Sequence, residues 1–259
     1  CVMSDHMIYV DAEKCIWCGL CRLDCPQDNI TIADRKAVIK AQNCIKCGHC
    51  VAICPRNAVS MTGFKDLPTE IEKPTVLNPN QLMEALRTRR SIRQFKDQTV
   101  APEVIEQVIE AGRFTPTAKN AQNISYIVLR EEIDSCERIA VRLFRRLLPV
   151  SKLVNRSIRD TVIDDHFFFK KAPVVILILS QDKVDGALAA SNMELMAEAC
   201  DLGVLYSGFF TIVANISRTL RRKLDLKRKD RVVTTLVLGY PNVTYHRTAQ
   251  RETASVRLL

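Results

Sequence analysis

Two stretches of the sequence decide the fold: Cys15-Ile16-Trp17-Cys18-Gly19-Leu20-Cys21-Arg22-Leu23-Asp24-Cys25-Pro26 and Cys44-Ile45-Lys46-Cys47-Gly48-His49-Cys50-Val51-Ala52-Ile53-Cys54-Pro55. Each follows the pattern C-x2-C-x2-C-x3-C-P. Thiolate sulfur is a soft ligand that holds iron–sulfur clusters, and in this pattern the fourth cysteine ligates the other cluster. The sequence therefore predicts two 4Fe–4S clusters that exchange one ligand.

The exchange assigns four cysteines to each cluster. The predicted ligands of the first cluster are Cys15, Cys18, Cys21 and Cys54. The predicted ligands of the second cluster are Cys44, Cys47, Cys50 and Cys25. Gly19 and Gly48 stand where each loop must bend tightly, and a residue without a Cβ leaves room for the cluster there.

The duplication extends beyond the cysteines. Residues 30–32 align with residues 59–61, and residues 9–10 align with residues 38–39. Each half is therefore predicted to form a strand, a cluster loop, a short helix and a strand, with a pseudo-two-fold axis between the halves. At this point residues 8–63 resemble the bacterial-type two-cluster ferredoxins.

Structural zinc and disulfide bonds are the alternative uses of so many cysteines. Zinc sites use paired C-x2-C units and do not require four cysteines within eleven residues followed by proline. Disulfide bonds are not expected in a chain without a secretory signal. Of the other cysteines, Cys136 and Cys200 lie in apolar helical contexts and are expected to be inert core residues, and Cys1 has no assignment.

Length and charge restrict the remaining possibilities. A chain of 259 residues suggests two domains, predicted at 8–63 and 81–259 with a proline-containing linker over 64–80. The formal net charge is +9, but the basic residues are not interleaved with aromatics, so no nucleic-acid partner is expected. No apolar run approaches the ~18 residues needed to span a bilayer, so we expect a cytoplasmic protein without a membrane partner.

The pattern of apolar residues after residue 80 predicts alternating helices and strands. Strands are predicted at 124–129, 173–180 and 232–240. Helices are predicted at 80–89, 102–113, 131–148, 156–171, 187–202 and 215–224, the third and fourth of them basic and on the surface.

Two polar segments of this second part are candidates for ligand binding. Residues 87–93 contain four arginines and a serine, which form either a solvated helix end or a phosphate site, because guanidinium groups bind phosphate bidentately. Asn120 and Gln122 lie in an amide-rich loop before a predicted strand. Amide side chains are common in turns, but they also offer paired donors and acceptors to a flat heterocycle.

The order of these segments resembles the FMN-dependent nitroreductase family. The resemblance rests on four segments in this order: Arg89-Arg90-Ser91-Ile92-Arg93, Asn120-x-Gln122, the apolar helix predicted at 187–202, and Leu238-Gly239-Tyr240-Pro241 followed by basic residues. It covers about residues 81–259, and with the front segment the whole chain resembles the ferredoxin-fused branch of the family. The chain departs from the family pattern at two places. The family's frequent Gln-Pro-Trp is replaced by Gln122-Asn123-Ile124, and Ser207 stands where the family often has an acidic residue, directly before the glycine that lies near N5 of the flavin.

The resemblance implies an α+β fold, with a mixed sheet flanked by helices in a homodimer that binds FMN at its interface. By position, Arg89, Arg90, Ser91 and Arg93 would hold the phosphate and ribityl chain, and Asn120 and Gln122 would meet the ribityl chain or the ring. Tyr206, Ser207 and Gly208 would lie near flavin N5, where the Gly208 amide donates a hydrogen bond. The remaining positions implied at the cofactor are Gly239 and Arg251, with Arg247 as a competitor for the role of Arg251.

Together the two parts predict an oxidoreductase. Iron–sulfur clusters transfer single electrons, and a flavin stores two, so we expect two 4Fe–4S clusters to relay electrons to FMN. The family implies that a small organic acceptor, a nitroaromatic or a quinone, is then reduced, with no side chain required as acid or base. The alternatives are a flavin reductase driven by NAD(P)H, with the clusters as the electron outlet, and a non-enzymatic electron carrier or redox sensor. Reduced ferredoxin and NAD(P)H are the candidate donors.

Overall fold

The computed structural model describes residues 6–73, 75–154 and 162–259. The chain forms two compact units. The first contains the described residues up to Val76 together with residues 118–121, and the second contains residues 77–117 and 122–259. Residues 118–121 therefore belong to the first unit, although residues of the second unit flank them on both sides along the chain.

The first unit repeats one short pattern of elements twice. In chain order these are β1 (Ile8–Val10), α1 (Leu20–Leu23), β2 (Ile30–Ala33), β3 (Lys36–Ile39), α2 (His49–Ala52) and β4 (Val59–Met61). β1 pairs antiparallel with β4, and β2 pairs antiparallel with β3. The predicted strand, loop, helix and strand of each half are confirmed, and the pairing of β1 with β4 joins the two halves.

The second unit is built on one four-stranded sheet. Its elements are α3 (Pro79–Thr88), α4 (Pro102–Arg113), β5 (Ser125–Leu129), α5 (Ile133–Val154), β6 (Val174–Leu179), α6 (Lys183–Ala199), β7 (Gly203–Tyr206), α7 (Gly208–Ile216), α8 (Arg218–Lys223) and β8 (Val232–Gly239). The strand order is β5-β6-β8-β7, with antiparallel pairs throughout. Ser91 adds a parallel bridge to Val204 of β7. None of the helices in the described ranges is both long enough and apolar enough to cross a membrane.

The sheet lies between two layers of helices. Every residue of β6 is buried, because a strand covered on both faces is apolar along its whole length. Val175 and Leu177 point into a core that includes residues of α5, α7 and α8, and Val174 and Ile176 point into a core that includes residues of α4 and α6. This arrangement confirms the expected α+β class, with the sheet flanked by helices.

The predicted surface helix at 156–171 is wrong over residues 162–171, of which 165–171 form turns, while residues 155–161 lie outside the described residues. The physical reason is the buried carboxylate of Glu137 on α5. Its Oε1 accepts hydrogen bonds from the amides of Phe168 and Phe169 at 2.9 and 2.8 Å. Both phenylalanine side chains are buried, so this segment contributes to the core rather than to the surface.

Two other predicted helices have different boundaries. The predicted helix at 187–202 is α6, which begins four residues earlier because the Asp182 carboxylate caps the amides of Val184 and Asp185. Gly203, directly after the predicted helix, opens β7, where an added Cβ would overlap Ile92. The predicted helix at 215–224 is divided at Ser217, whose hydroxyl caps α8 through the amide of Leu220.

Candidate functional site

Two cavities in the first unit are each lined by four cysteines. One is lined by Cys44, Cys47, Cys50 and Cys25. The other is lined by Cys15, Cys18, Cys21 and Cys54. Each cavity thus receives three cysteines from one half of the duplication and one from the other half, which is the grouping predicted from the spacing.

The backbone of the two loops explains how the cysteines are presented. Gly19 and Gly48 adopt left-handed φ values of 79° and 73°, which cost a glycine little, and α1 and α2 begin directly after them. The third cysteine of each run, Cys21 or Cys50, lies on the short helix and is buried. The glycine therefore turns the chain so that the loop and the helix face the same cavity.

Backbone amides donate hydrogen bonds to several of the cysteine sulfur atoms. The amide of Ala37 lies 3.4 Å from Cys15 Sγ, and the amide of Ala58 lies 3.2 Å from Cys54 Sγ. The amide of Lys46 lies 3.3 Å from Cys44 Sγ. Such donors stabilise the negative charge of a thiolate and help to set the reduction potential of a bound cluster.

Burial, together with the potential negative charges of the neighbouring Cys44 and Cys47, raises the pKa of the Cys50 thiol to about 11. Burial likewise raises the pKa of Cys21. Iron must therefore displace protons from these thiols when it binds.

The sulfur atoms are arranged for a cluster of several atoms. In the described ranges, no three His, Cys, Asp or Glu side chains are close enough to surround a single metal ion. The four cysteines of each set instead lie around a cavity, as the corners of a 4Fe–4S cube require. Their number, chemistry and placement fit two such clusters.

The two cysteines assigned to the second unit's core differ in burial. Cys136 on α5 is fully buried, as expected for an inert core residue. Cys200 is only partly buried at the end of α6, with its Sγ 3.5 Å from Gln107 Oε1. Cys1 lies outside the described residues.

A basic cavity of about 480 Å³ in the second unit contains most of the predicted phosphate-binding residues. This arginine cavity is lined by Arg89, Arg90, Ser91, Arg93, Tyr245, Arg247, Thr248, Ala249 and Arg251. Its volume is typical of a small-molecule site, and its lining contains five arginines and no carboxylate. Arg247 and Arg251, which the sequence left as competitors, both line it.

Arg90 has a buried nitrogen without a partner. Its Nη1 donates to the carbonyl oxygens of Arg87 and Arg89 at 2.9 and 2.7 Å. Its Nη2 is buried and has no hydrogen-bond partner among the described residues. A buried, unpaired donor on a charged group is unfavourable, so this nitrogen fits an anionic ligand such as a phosphate.

Arg89 already has a carboxylate partner that the sequence reasoning missed. Its Nη1 lies 2.5 Å from Oε1 of Glu194, a buried residue of α6. The hydroxyl of Tyr206 lies 3.1 Å from Glu194 Oε2, and burial together with this carboxylate raises the pKa of Tyr206. An acid on the inward face of a largely apolar helix was the signal available in the sequence.

The other positions predicted around FMN are not all brought to the arginine cavity. Gly208 begins α7, so its amide belongs to the first turn, where amides have no acceptor within the helix. A Cβ added at Gly208 would have no atom within 4 Å. Ser207 is buried directly before it. Gly239 instead has a packing role, because an added Cβ would lie 2.7 Å from Pro173 Cδ.

Asn120 and Gln122 lie outside the lining of the arginine cavity. Both adopt left-handed φ values, 51° and 45°, as does Lys119 between α4 and β5. The amide nitrogen Nδ2 of Asn120 donates to the carbonyl oxygens of Ile45 and Lys46, within the first unit. The backbone amide of Gln122 donates to Thr117 Oγ1 at 3.0 Å.

Family models match both parts of the chain. Residues 86–240 match the model of the nitroreductase family, and residues 7–55 match that of the 4Fe-4S dicluster domain.

Relatives and solved structures match the second part. A provisionally named NADH dehydrogenase/NAD(P)H nitroreductase of Methanothermobacter thermautotrophicus is 24% identical over 172 residues, which are 62% of this chain and 77% of the relative. A relative with the same name from Archaeoglobus fulgidus is 26% identical over 161 residues, 62% of this chain and 86% of that protein.

The FMN-dependent nitroreductase of Clostridium difficile, a solved structure, has a TM-score of 0.57 at 17% identity, and the match covers 70% of this chain and 100% of that one. The nitroreductase of Bacteroides fragilis with bound FMN has a TM-score of 0.53 at 17% identity, with 69% and 99% covered. The likeness to these two structures concerns the fold.

The exchange of ligands can be tested by combining cysteine substitutions. Cys54→Ala should remove the first cluster alone, so iron should fall from about eight to about four atoms per chain. Adding Cys18→Ala, in the same predicted set, should leave this content unchanged, whereas adding Cys47→Ala should remove the remaining iron. Iron analysis of anaerobically purified protein measures the effect.

Cys200→Ala is the matched control, and it should keep the full iron content. If the combination of Cys54→Ala with Cys18→Ala lost all iron while that with Cys47→Ala kept about half, Cys54 would belong with its sequence neighbours and the exchange would be refuted.

Proposed function

This chain belongs to the nitroreductase family, and from that premise we propose that it is an FMN-dependent enzyme in which two 4Fe–4S clusters relay electrons to the flavin. Family membership makes the protein an oxidoreductase, and residues 7–55 form a 4Fe–4S dicluster domain. The acceptor in this proposal is a small organic molecule, of nitroaromatic or quinone type. The protein acts as a homodimer.

One observation carries the proposal: the same chain contains two four-cysteine cavities and a five-arginine cavity. The first two suit groups that transfer single electrons, and the third suits a phosphate-bearing cofactor. Both features are accounted for if electrons pass from one kind of cofactor to the other.

FMN is supported as the occupant of the second unit by two lines of argument. Similar folds in Clostridium difficile and Bacteroides fragilis are an FMN-dependent nitroreductase and a nitroreductase with bound FMN. In this chain the unpaired Nη2 of Arg90 and the arginines of the tail offer donors for its phosphate. The Gly208 amide is the proposed donor to the ring.

The protein's own groups hold and tune the cofactors. When bound, FMN converts single-electron input into two-electron reduction of an acceptor. The eight cysteines hold iron, and the amides of Ala37, Lys46 and Ala58 stabilise thiolate charge. Glu194 balances one positive charge of the arginine cavity through Arg89, and the remaining arginines there keep their positive charge for a phosphate.

Reduction by NAD(P)H is the second candidate function, with the clusters as the electron outlet. It is favoured by the names of the archaeal relatives, which refer to NADH and NAD(P)H. The chain has no G-x-G-x-x-G motif. The resemblance implies that nicotinamide binds directly over FMN without such a motif, so both donors must be compared by experiment.

The choice of donor tests the proposed function. Under anaerobic conditions, reduced ferredoxin should support steady reduction of a nitroaromatic or quinone by the protein loaded with iron, sulfide and FMN. NADH and NADPH should support less. Turnover with NAD(P)H as the only donor, together with reduction of oxidised ferredoxin, would establish the NAD(P)H-driven reductase. The absence of turnover with either donor would favour a non-enzymatic electron carrier or redox sensor.

The tail arginines provide a direct test of the flavin site. Arg251→Ala should weaken FMN binding at least about tenfold, because a charge-assisted hydrogen bond contributes about 1.5–3 kcal/mol. Isothermal titration of FMN into flavin-free protein measures the affinity, and the iron content should not change.

Arg257→Ala is the control, because Arg257 is an exposed arginine of the same tail outside the cavity. Arg247→Ala tests the competing position in parallel. Equal FMN affinity in the parent protein and in all three variants would show that the tail does not bind the phosphate.

A further inference from the structure

One peptide group in the second cluster loop is held by hydrogen bonds at both of its ends. This is the peptide between Ile45 and Lys46. Its carbonyl oxygen accepts a hydrogen bond from Nδ2 of Asn120 at 3.1 Å, and its N–H donates to Cys44 Sγ at 3.3 Å. Because the peptide is planar, rotation about its long axis would break both bonds together. The side chain that fixes the carbonyl therefore also fixes the amide against the sulfur.

Asn120 is suited to this role because its amide has two hydrogens to donate. The second one reaches the next carbonyl oxygen, that of Lys46, at 2.9 Å. Asn120, Ile45 and Lys46 are all half-buried, and residues 118–121 belong to the same compact unit as the loop. A hydrogen bond accepted by the carbonyl also polarises its own N–H, which strengthens donation to the sulfur.

The backbone at Lys46 gives the loop a reason to relax in the absence of Asn120. Lys46 has a left-handed φ of 58°, which is strained for a residue with a Cβ. Turning the Ile45–Lys46 peptide over would relieve this strain. The carbonyl oxygen would then face Cys44, and the amide would face away from it.

The duplication supplies an internal comparison. Trp17 holds the position of Lys46 in the first loop and also has a left-handed φ, 46°. Ile16 and Trp17 are exposed by 46% and 52%, whereas Ile45 and Lys46 are half-buried. The two loops have the same local fold but different surroundings, so a change at Asn120 should affect only one cluster.

We propose that Asn120 is a positioning residue for the second cluster, which keeps the Lys46 amide on Cys44 Sγ and thereby raises the reduction potential of that cluster. A hydrogen bond to a ligating sulfur stabilises the more negative, reduced cluster, so its loss lowers the potential. This role of Asn120 requires only that the four predicted cysteines hold the second cluster. It is independent of FMN binding and of the direction of electron flow.

Asn120→Ala in the full, cluster-loaded chain tests this role. Redox titration followed by electron paramagnetic resonance should show one of the two cluster couples shifted to lower potential. The expected shift is about tenfold in the equilibrium constant for reduction, which is ~59 mV for a one-electron couple. The other couple and the iron content should stay unchanged, as should both couples in the control Asn123→Ala, an exposed position of the same loop.

Glycine at position 46 provides the second arm, because glycine adopts a left-handed φ without strain. Because Lys46→Gly also removes a nearby charge, the double variant Lys46→Gly with Asn120→Ala is compared with the single variant Lys46→Gly. Between these two proteins the reduction potential should shift much less than it does between the parent protein and Asn120→Ala. The proposal is overturned if neither couple moves, if both move equally, if Asn123→Ala has the same effect, or if the glycine background gives the full shift.

Discussion

Each four-cysteine cavity takes three cysteines from one sequence half and one from the other, and the first unit depends on this constraint. Cys54 lines the cavity of the first run, and Cys25 lines that of the second. Neither half can complete a cluster site alone, so the halves must fold together, as the pairing of β1 with β4 also requires. A unit of this size has a small core, and cluster binding supplies stability that apolar burial cannot.

In the second unit, five arginines surround one cavity without placing their charges in the apolar core. A sheet buried on both faces forms its framework, and the arginines lie outside that core. The buried Glu194 of α6 pairs with Arg89, so one of the five guanidinium charges is neutralised within the protein. The unpaired Nη2 of Arg90 keeps a donor available for an anion.

The sequence predicted what repeats or spacing determines and missed what depends on tertiary contacts. Both cysteine runs, the short helices after Gly19 and Gly48, and the fully buried β6 follow from local pattern. The turns at 165–171 depend on the buried Glu137 of a distant helix, and no local pattern reveals that contact. Asn120 is a similar case, because its acceptors lie 74 and 75 residues away in the chain. Its residue type and position led to the prediction of a cofactor contact, but they did not reveal the backbone carbonyls to which it donates.

The relay from clusters to flavin is the central claim, and the order of reduction tests it most directly. The loaded protein is mixed rapidly with reduced ferredoxin, and the bleaching of the cluster and flavin absorbance is followed in time. Cluster bleaching should precede flavin bleaching, and a chain carrying both Cys47→Ala and Cys54→Ala should reduce its flavin far more slowly. Flavin reduction that precedes the clusters, or that is equally fast without them, would contradict the account.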